Sequence, residues 1–129
     1  MKKAEYLHLY FENIHFQGKL QLTAIRMIAE EKGQGAEYMS CSYDRNDEDY
    51  KEGYVTLYFW KPAVGEDTMI HVDNLTFFNK LAEVCEIDCE KYPEHRHILD
   101  EYLKTIKREL FQVILDNHNI DIWEISHDQ

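Results

Sequence analysis

Residues 54–60 (YVTLYFW) alternate most cleanly along the chain. Val55, Leu57 and Phe59 fall on one side, and Tyr54, Thr56, Tyr58 and Trp60 on the other, the period-two pattern of a strand with one buried face. Residues 37–43 repeat it, with Met39, Cys41 and Tyr43 set against Tyr38, Ser40 and Ser42. Thr68 to Val72 reads as a short strand returning beside residues 54–60, across a turn that holds Pro62 and Gly65. Near the start, residues 5–16 are apolar and aromatic. Leu7, Leu9 and Phe11 alternate with Tyr6, His8 and Tyr10, which predicts a further strand broken by Gly18.

The remaining segments carry helical spacing. Leu20, Ala24, Met27 and Ile28 predict a helix over 19–32, with Gly33 and Gly35 as stop signals. Asp73 or Asn74 is a suitable cap for a second helix, whose stripe runs through Leu75, Phe78, Ala82, Cys85 and Cys89 with Leu81 beside it. Pro93 opens a third. Its apolar face is Ile98 or Leu99, Tyr102, Leu103, Ile106, Leu110, Val113 and Ile114, and it ends near residues 117–119. Residues 120–125 are expected to form a last strand or a docked tail. The order β-α-β-β-β-α-α predicts one α+β domain spanning all 129 residues. It would be a mainly antiparallel sheet of three to five strands with two or three helices packed on one face. The other face, bearing Tyr54, Tyr58 and Trp60, then needs water, a partner or a second chain.

Charge narrows the choice of partner. The formal net charge is −11, which disfavours direct binding of nucleic acid or an anionic membrane, since both require neutralising cations. It suits a basic partner, or solubility alone. Residues 1–35 carry five basic and four acidic side chains, residues 36–73 three and nine, and residues 74–129 six and twelve. The middle deficit is the informative one, because its acids bunch in predicted loops at Asp44, Asp47, Glu48, Asp49 and Glu52, then at Glu66 and Asp67. The longest apolar stretch is far short of a membrane span, and no signal-peptide run follows the opening lysines. Three cysteines without framework spacing fit a reduced, cytoplasmic protein.

Chemical motifs are sparse. Cys85 and Cys89 stand four apart with His95 and His97 beyond, but the stripe they share with Leu75, Phe78 and Ala82 favours core packing over zinc. The segment from Asp44 resembles a calcium loop only superficially. Its sixth position is Asp49 where glycine is required, and its twelfth is Val55 where glutamate is required. Seven histidines (His8, His15, His71, His95, His97, His118 and His127) accompany many carboxylates, so chance pairs are expected. No serine sits in a nucleophile elbow and no glycine-rich loop cradles phosphate. No catalytic set, metal or cofactor is assigned. What stands out is a surface: Tyr38, Tyr43, Tyr50, Tyr54, Tyr58 and Trp60 share the middle block with the acids. Tyrosine and tryptophan anchor interfaces, and surrounding carboxylates steer a cationic partner. The candidate contact set is Asp44, Asp47, Glu48, Asp49, Tyr50, Glu52, Tyr54, Tyr58, Trp60, Glu66 and Asp67.

From His71 to Leu110 the chain places a short strand, a polar cap, a Phe-rich helix, a Tyr-Pro break and an acidic-basic helix. Val72, Phe77-Phe78, Leu81, Tyr92-Pro93 and Leu99 to Ile106 carry the pattern. This third of the chain resembles immunity proteins of bacterial contact-dependent growth inhibition systems. The resemblance implies a non-enzymatic cytoplasmic inhibitor of the toxin domain of its own system. Many such toxins are nucleases, basic because they bind nucleic acid. It implies no particular contact residues, since each immunity protein matches one toxin. Two other readings stand beside it. In one, a small-molecule-binding or enzymatic domain has a pocket holding His8, His15 or His71. In the other, an adaptor self-associates as a homodimer through the aromatic face.

Overall fold

The protein is described by a computed structural model that covers the backbone of residues 1–118 and the side chains of residues 1–111. Its elements are α1 (Lys3–Asn13), β1 (His15–Phe16), β2 (Lys19–Leu20), α2 (Leu22–Glu31), β3 (Gly33–Ala36), β4 (Met39–Ser42), β5 (Tyr54–Phe59), β6 (Thr68–Asp73), α3 (Asn74–Lys91), a 3-10 turn (Pro93–His95) and α4 (Arg96–His118). β3 to β6 form an antiparallel sheet in sequence order, and β1 and β2 form a separate hairpin. The α+β class and the antiparallel sheet agree with the sequence. The expected strand or tail at 120–125, and the side chains of Val113 and Ile114, lie outside the described residues.

The main departure is the first segment. Residues 5–16 form a helix and a short strand, not one strand. The buried positions are Leu7, Tyr10, Phe11 and Ile14, spaced three, four and seven apart as one helix face requires. The apparent alternation arose because an aromatic-rich segment satisfies both periods. Tyr6 packs on Phe59 with ring centroids 4.9 Å apart, so α1 covers the sheet face that Val55, Leu57 and Phe59 present. Phe77 and Leu81 of α3 are fully buried against the same layer. Each such side chain contributes about 1.5–3 kcal/mol by leaving water.

Gly33 and Gly35 do more than stop a helix. α2 ends at Lys32, which takes the left-handed conformation (φ 58°), and the glycines begin β3 at once. A Cβ on Gly33 would stand 2.8 Å from the Cys41 carbonyl oxygen, so the close approach of β3 to β4 requires the missing side chain. The α3 stripe also sits one step from its expected place. Phe77, Leu81, Val84, Cys85, Asp88 and Cys89 are buried, while Leu75 is exposed. Asp73 caps α3 as expected, its carboxylate accepting from the Thr76 N–H at 2.9 Å. In α4 the choice between Ile98 and Leu99 falls to Leu99, which is buried. Asn74 ties α3 to α4 by donating Nδ2–H to the Leu110 carbonyl at 2.7 Å.

Candidate functional site

Strand pairing sorts the sheet side chains. Met39, Cys41, Val55, Leu57, Phe59 and Val72 are buried on the helix side. On the opposite face Ser42 aligns with Thr56 and His71, and Ser40 with Tyr58 and Met69. No helix crosses this face among the described residues. Thr56 is nonetheless only 2% exposed, because the acidic 44–53 loop folds back over it. The carbonyl of Asp49 accepts from His71 Nε2–H at 3.0 Å and from the Thr56 hydroxyl at 3.5 Å. The Asp49 carboxylate accepts from the Tyr58 hydroxyl at 3.0 Å. Asp47 accepts from the Ser42 hydroxyl. The helix-free face is therefore shared between the chain's own acidic loop and an uncovered aromatic strip.

Tyr58 and Trp60 stack with centroids 5.8 Å apart and planes 3° apart. Trp60 is 38% exposed and Met69, the cross-strand neighbour of Tyr58, is 43% exposed. Tyr54 and Tyr50 are set apart from this stack. Tyr54 lies edge-on to His71, and Lys51 covers its ring at 4.3 Å. Tyr50 is half-buried in a small recess with Lys32, Arg45 and Glu109. Glu66 and Asp67 sit in the 61–67 turn that follows Trp60. That turn is held by the Asp67 carboxylate accepting from the Lys61 N–H at 2.9 Å. Tyr43, grouped with the surface tyrosines on sequence grounds, belongs to the core: it is buried and donates to the Ile28 carbonyl at 2.6 Å. Met69 was missed, and His71 was weighed only as a pocket residue, although the alternation within TMIHVD sends both to the outer face.

Six acids of this region carry charge that no ion pair offsets. Among the described residues, Asp44, Asp47, Glu48, Asp49, Glu66 and Asp67 make no ion pair within 4.0 Å. Their partners are neutral: hydroxyls for Asp47 and Asp49, backbone N–H groups for Asp44 and Asp67. Three of them, Asp49, Asp47 and Glu48, act on Tyr58. Loss of hydration, the Asp49 hydrogen bond and the charges of Asp49, Asp47 and Glu48 push its hydroxyl up to about 12.

The family model described as CDI immunity protein matches residues 3–103. The chain belongs to the CDI immunity protein family. Its function is accordingly immunity towards a toxin, and its partner is the cognate toxin. No curated relative and no solved structure matches the chain. The match covers the helix α1 that the sequence pattern misassigned, the whole sheet, and most of the segment from His71 onward that carries the resemblance. No helix among the described residues is long and apolar enough to cross a membrane.

The groups weighed for other chemistry have structural employment. Cys85 and Cys89 are buried in the core, and burial, with Cys89 and nearby acids adding to it, pushes the Cys85 thiol up to about 12. His95 Nδ1–H donates to the buried Asp88 carboxylate at 2.6 Å. His15 Nδ1–H donates to the Phe11 carbonyl at 2.7 Å, and exposed His8 meets Glu12 at 2.8 Å.

Proposed function

We propose that this immunity protein neutralises a basic toxin domain, a nuclease, by laying its acidic loop and the Tyr58–Trp60 strip against the toxin's cationic surface. Asp44, Asp47, Glu48, Asp49 and Glu52 at one end of the strip, and Glu66 and Asp67 at the other, would draw in lysines and arginines. Tyr58 and Trp60 are the anchors that lose water on contact, with Tyr50 and Tyr54 at the margin. The protein acts by occupation, without catalysis, in the bacterial cytoplasm where an incoming toxin would do its damage. The observation that carries this reading is that Asp44, Asp47, Glu48, Asp49, Glu66 and Asp67 make no ion pair among the described residues, beside a preassembled aromatic stack.

Uncompensated carboxylates favour a cationic partner more than a neutral one. An acid already paired internally gives up one attraction to gain another, whereas these acids exchange water and hydroxyl contacts for charge-assisted hydrogen bonds. The preset stack lowers the ordering cost of binding. The test is the affinity of the purified chain for the cognate toxin domain across a salt series. Association should slow steeply as salt rises, and toxin activity on nucleic acid should fall in proportion to complex formed. Salt-independent association would remove the acidic steering. Sedimentation of the chain alone gives a second check, since a tight dimer through Trp60 would leave the face unavailable.

A further inference from the structure

A cleft of about 610 Å³ opens beside Tyr54 and His71, where the first turns of α1, the end of β6 and the first turns of α3 converge. Sites for small molecules occupy roughly 300–1,000 Å³. The lining of this cleft is largely apolar: buried Leu7 and Val72, with Ala4 and the Tyr54 ring. Lys3 and Lys80 reach it from α1 and α3. The single carboxylate in the lining, Asp73, has both oxygens engaged by the Thr76 N–H and hydroxyl, at 2.9 and 2.8 Å. Those hydrogen bonds hold it below the usual carboxylate range.

The two ammonium groups keep only loose partners. Lys3 makes no ion pair within 4.0 Å among the described residues, though its charge acts on Asp73, and Lys80 has Glu83 at 3.7 Å. The imidazoles of His8 and His71 also line the cleft, but each has spent Nε2, on Glu12 and on the Asp49 carbonyl. On a chain with net charge −11, a concave apolar surface where Lys3 and Lys80 balance Asp73 and Glu83 is a locally neutral exception. An inorganic anion would leave the apolar lining unused, and a neutral apolar molecule would leave the ammonium groups unused. We propose that this cleft binds a small organic anion, an apolar or aromatic body carrying a carboxylate or phosphate that Lys3 and Lys80 hold. Asp73 and Glu83 temper the field, so a simple probe should bind with a Kd on the order of a millimolar, against roughly 4 kcal/mol of binding free energy.

The proposal does not depend on the toxin-docking reading, and its test involves no toxin. The full chain is titrated with phenyl phosphate, benzoate, inorganic phosphate and benzyl alcohol while backbone amide resonances are followed by NMR. Either aromatic anion should saturate, with shifts centred on Ala4, His71, Thr76 and Lys80, and the tighter of the two identifies the headgroup. Inorganic phosphate and benzyl alcohol should each bind at least about fivefold more weakly. The double variant Lys3→Gln/Lys80→Gln should weaken the anion about tenfold and spare benzyl alcohol. Ala4→Phe, an exposed helical position that fills the cleft without altering charge, should remove binding of every probe. Scattered or non-saturating shifts overturn the proposal. So do equal binding of a control probe, an unchanged anion affinity in the lysine variant, or binding that survives Ala4→Phe.

Discussion

Acidic side chains are treated in opposite ways by the helices and by the loops of the sheet. Among the described residues, eight helical carboxylates take a basic partner from the chain itself: Glu12, Glu30, Glu31, Glu83, Glu86, Asp88, Glu101 and Glu109. Arg96, for example, grips both oxygens of Glu86 at 2.5 and 3.0 Å. In the 44–53 loop and the 61–67 turn the carboxylates of Asp44, Asp47, Asp49 and Asp67 are positioned by hydroxyls and backbone N–H groups, which orient a charge without cancelling it. The first arrangement stabilises the fold; the second leaves a potential for something outside it. A single net charge conceals this, because the middle and C-terminal blocks carry equal deficits.

The sharpest break in the comparison is at the buried end of the helical set. Asp88 is 5% exposed and meets His95, which stacks on Tyr92 at the joint between α3 and α4. Asp88→Ala should lower unfolding free energy by about 3 kcal/mol, because it opens a gap in the buried layer and strands the part-buried His95 donor. Chemical denaturation measures that loss, and toxin affinity of the folded protein should be unchanged. Trp60→Ala is the reverse case. It should weaken toxin binding by about 2 kcal/mol, some thirtyfold, and leave the denaturation midpoint nearly where it was. A large stability loss from Trp60→Ala would place that ring in the core's service instead.

How much of this was legible in the sequence depended on whether one period dominated. β4, β5 and β6 were readable because their alternation was clean. β3 was not, since GQGA has almost no side chains to alternate, and its glycines answer a strand contact 2.8 Å away that no local pattern announces. The α1 segment misled because its run of leucine, tyrosine, histidine and phenylalanine from Tyr6 to Phe11 satisfies a strand as readily as a helix. The acids and aromatics of the candidate site were visible as composition. Their arrangement was not: that Tyr43 turns inward, that Lys51 covers Tyr54, and that the loop folds over Thr56 all depend on contacts between distant residues. The pairing of Asp88 with His95 was equally hidden, as seven residues of spacing across a proline break carry no signature.

Removing the loop charges tests the outward-facing set as a group. Asp44→Asn, Asp47→Asn and Glu48→Gln together should slow association with a basic toxin about tenfold at low salt. The three substitutions should also flatten the salt dependence, and stopped-flow association across a salt series measures both. Dissociation should change little, because the anchors are intact. Thermal stability should hold or rise slightly as like charges are removed, whereas neutralising helical acids removes favourable pairs. If the triple variant associates at the wild-type rate, the unpaired carboxylates are a solubility feature and the contrast with the helices has no bearing on binding.

The smallest effect is confined to one hydrogen bond and has a sign fixed in advance. The Tyr58 hydroxyl is held near 12, against an ordinary value of 10.0, by lost hydration and then by Asp49 and its acidic neighbours. Since the folded chain keeps this proton more tightly than the unfolded one, Tyr58 contributes stability that is complete below pH 10. That contribution drains away as pH climbs towards 12. Asp49→Asn removes the nearest negative charge while preserving a side-chain acceptor. The tyrosinate absorbance of Tyr58, isolated by difference from a Tyr58→Phe control, should therefore develop at lower pH, and the alkaline loss of stability assigned to Tyr58 should shrink. Asp44→Asn, whose charge is absent from the causes acting on Tyr58, should leave that titration in place. An unchanged titration in Asp49→Asn would mean that dehydration alone sets Tyr58, and that the loop's field at the aromatic strip is too weak to steer a partner.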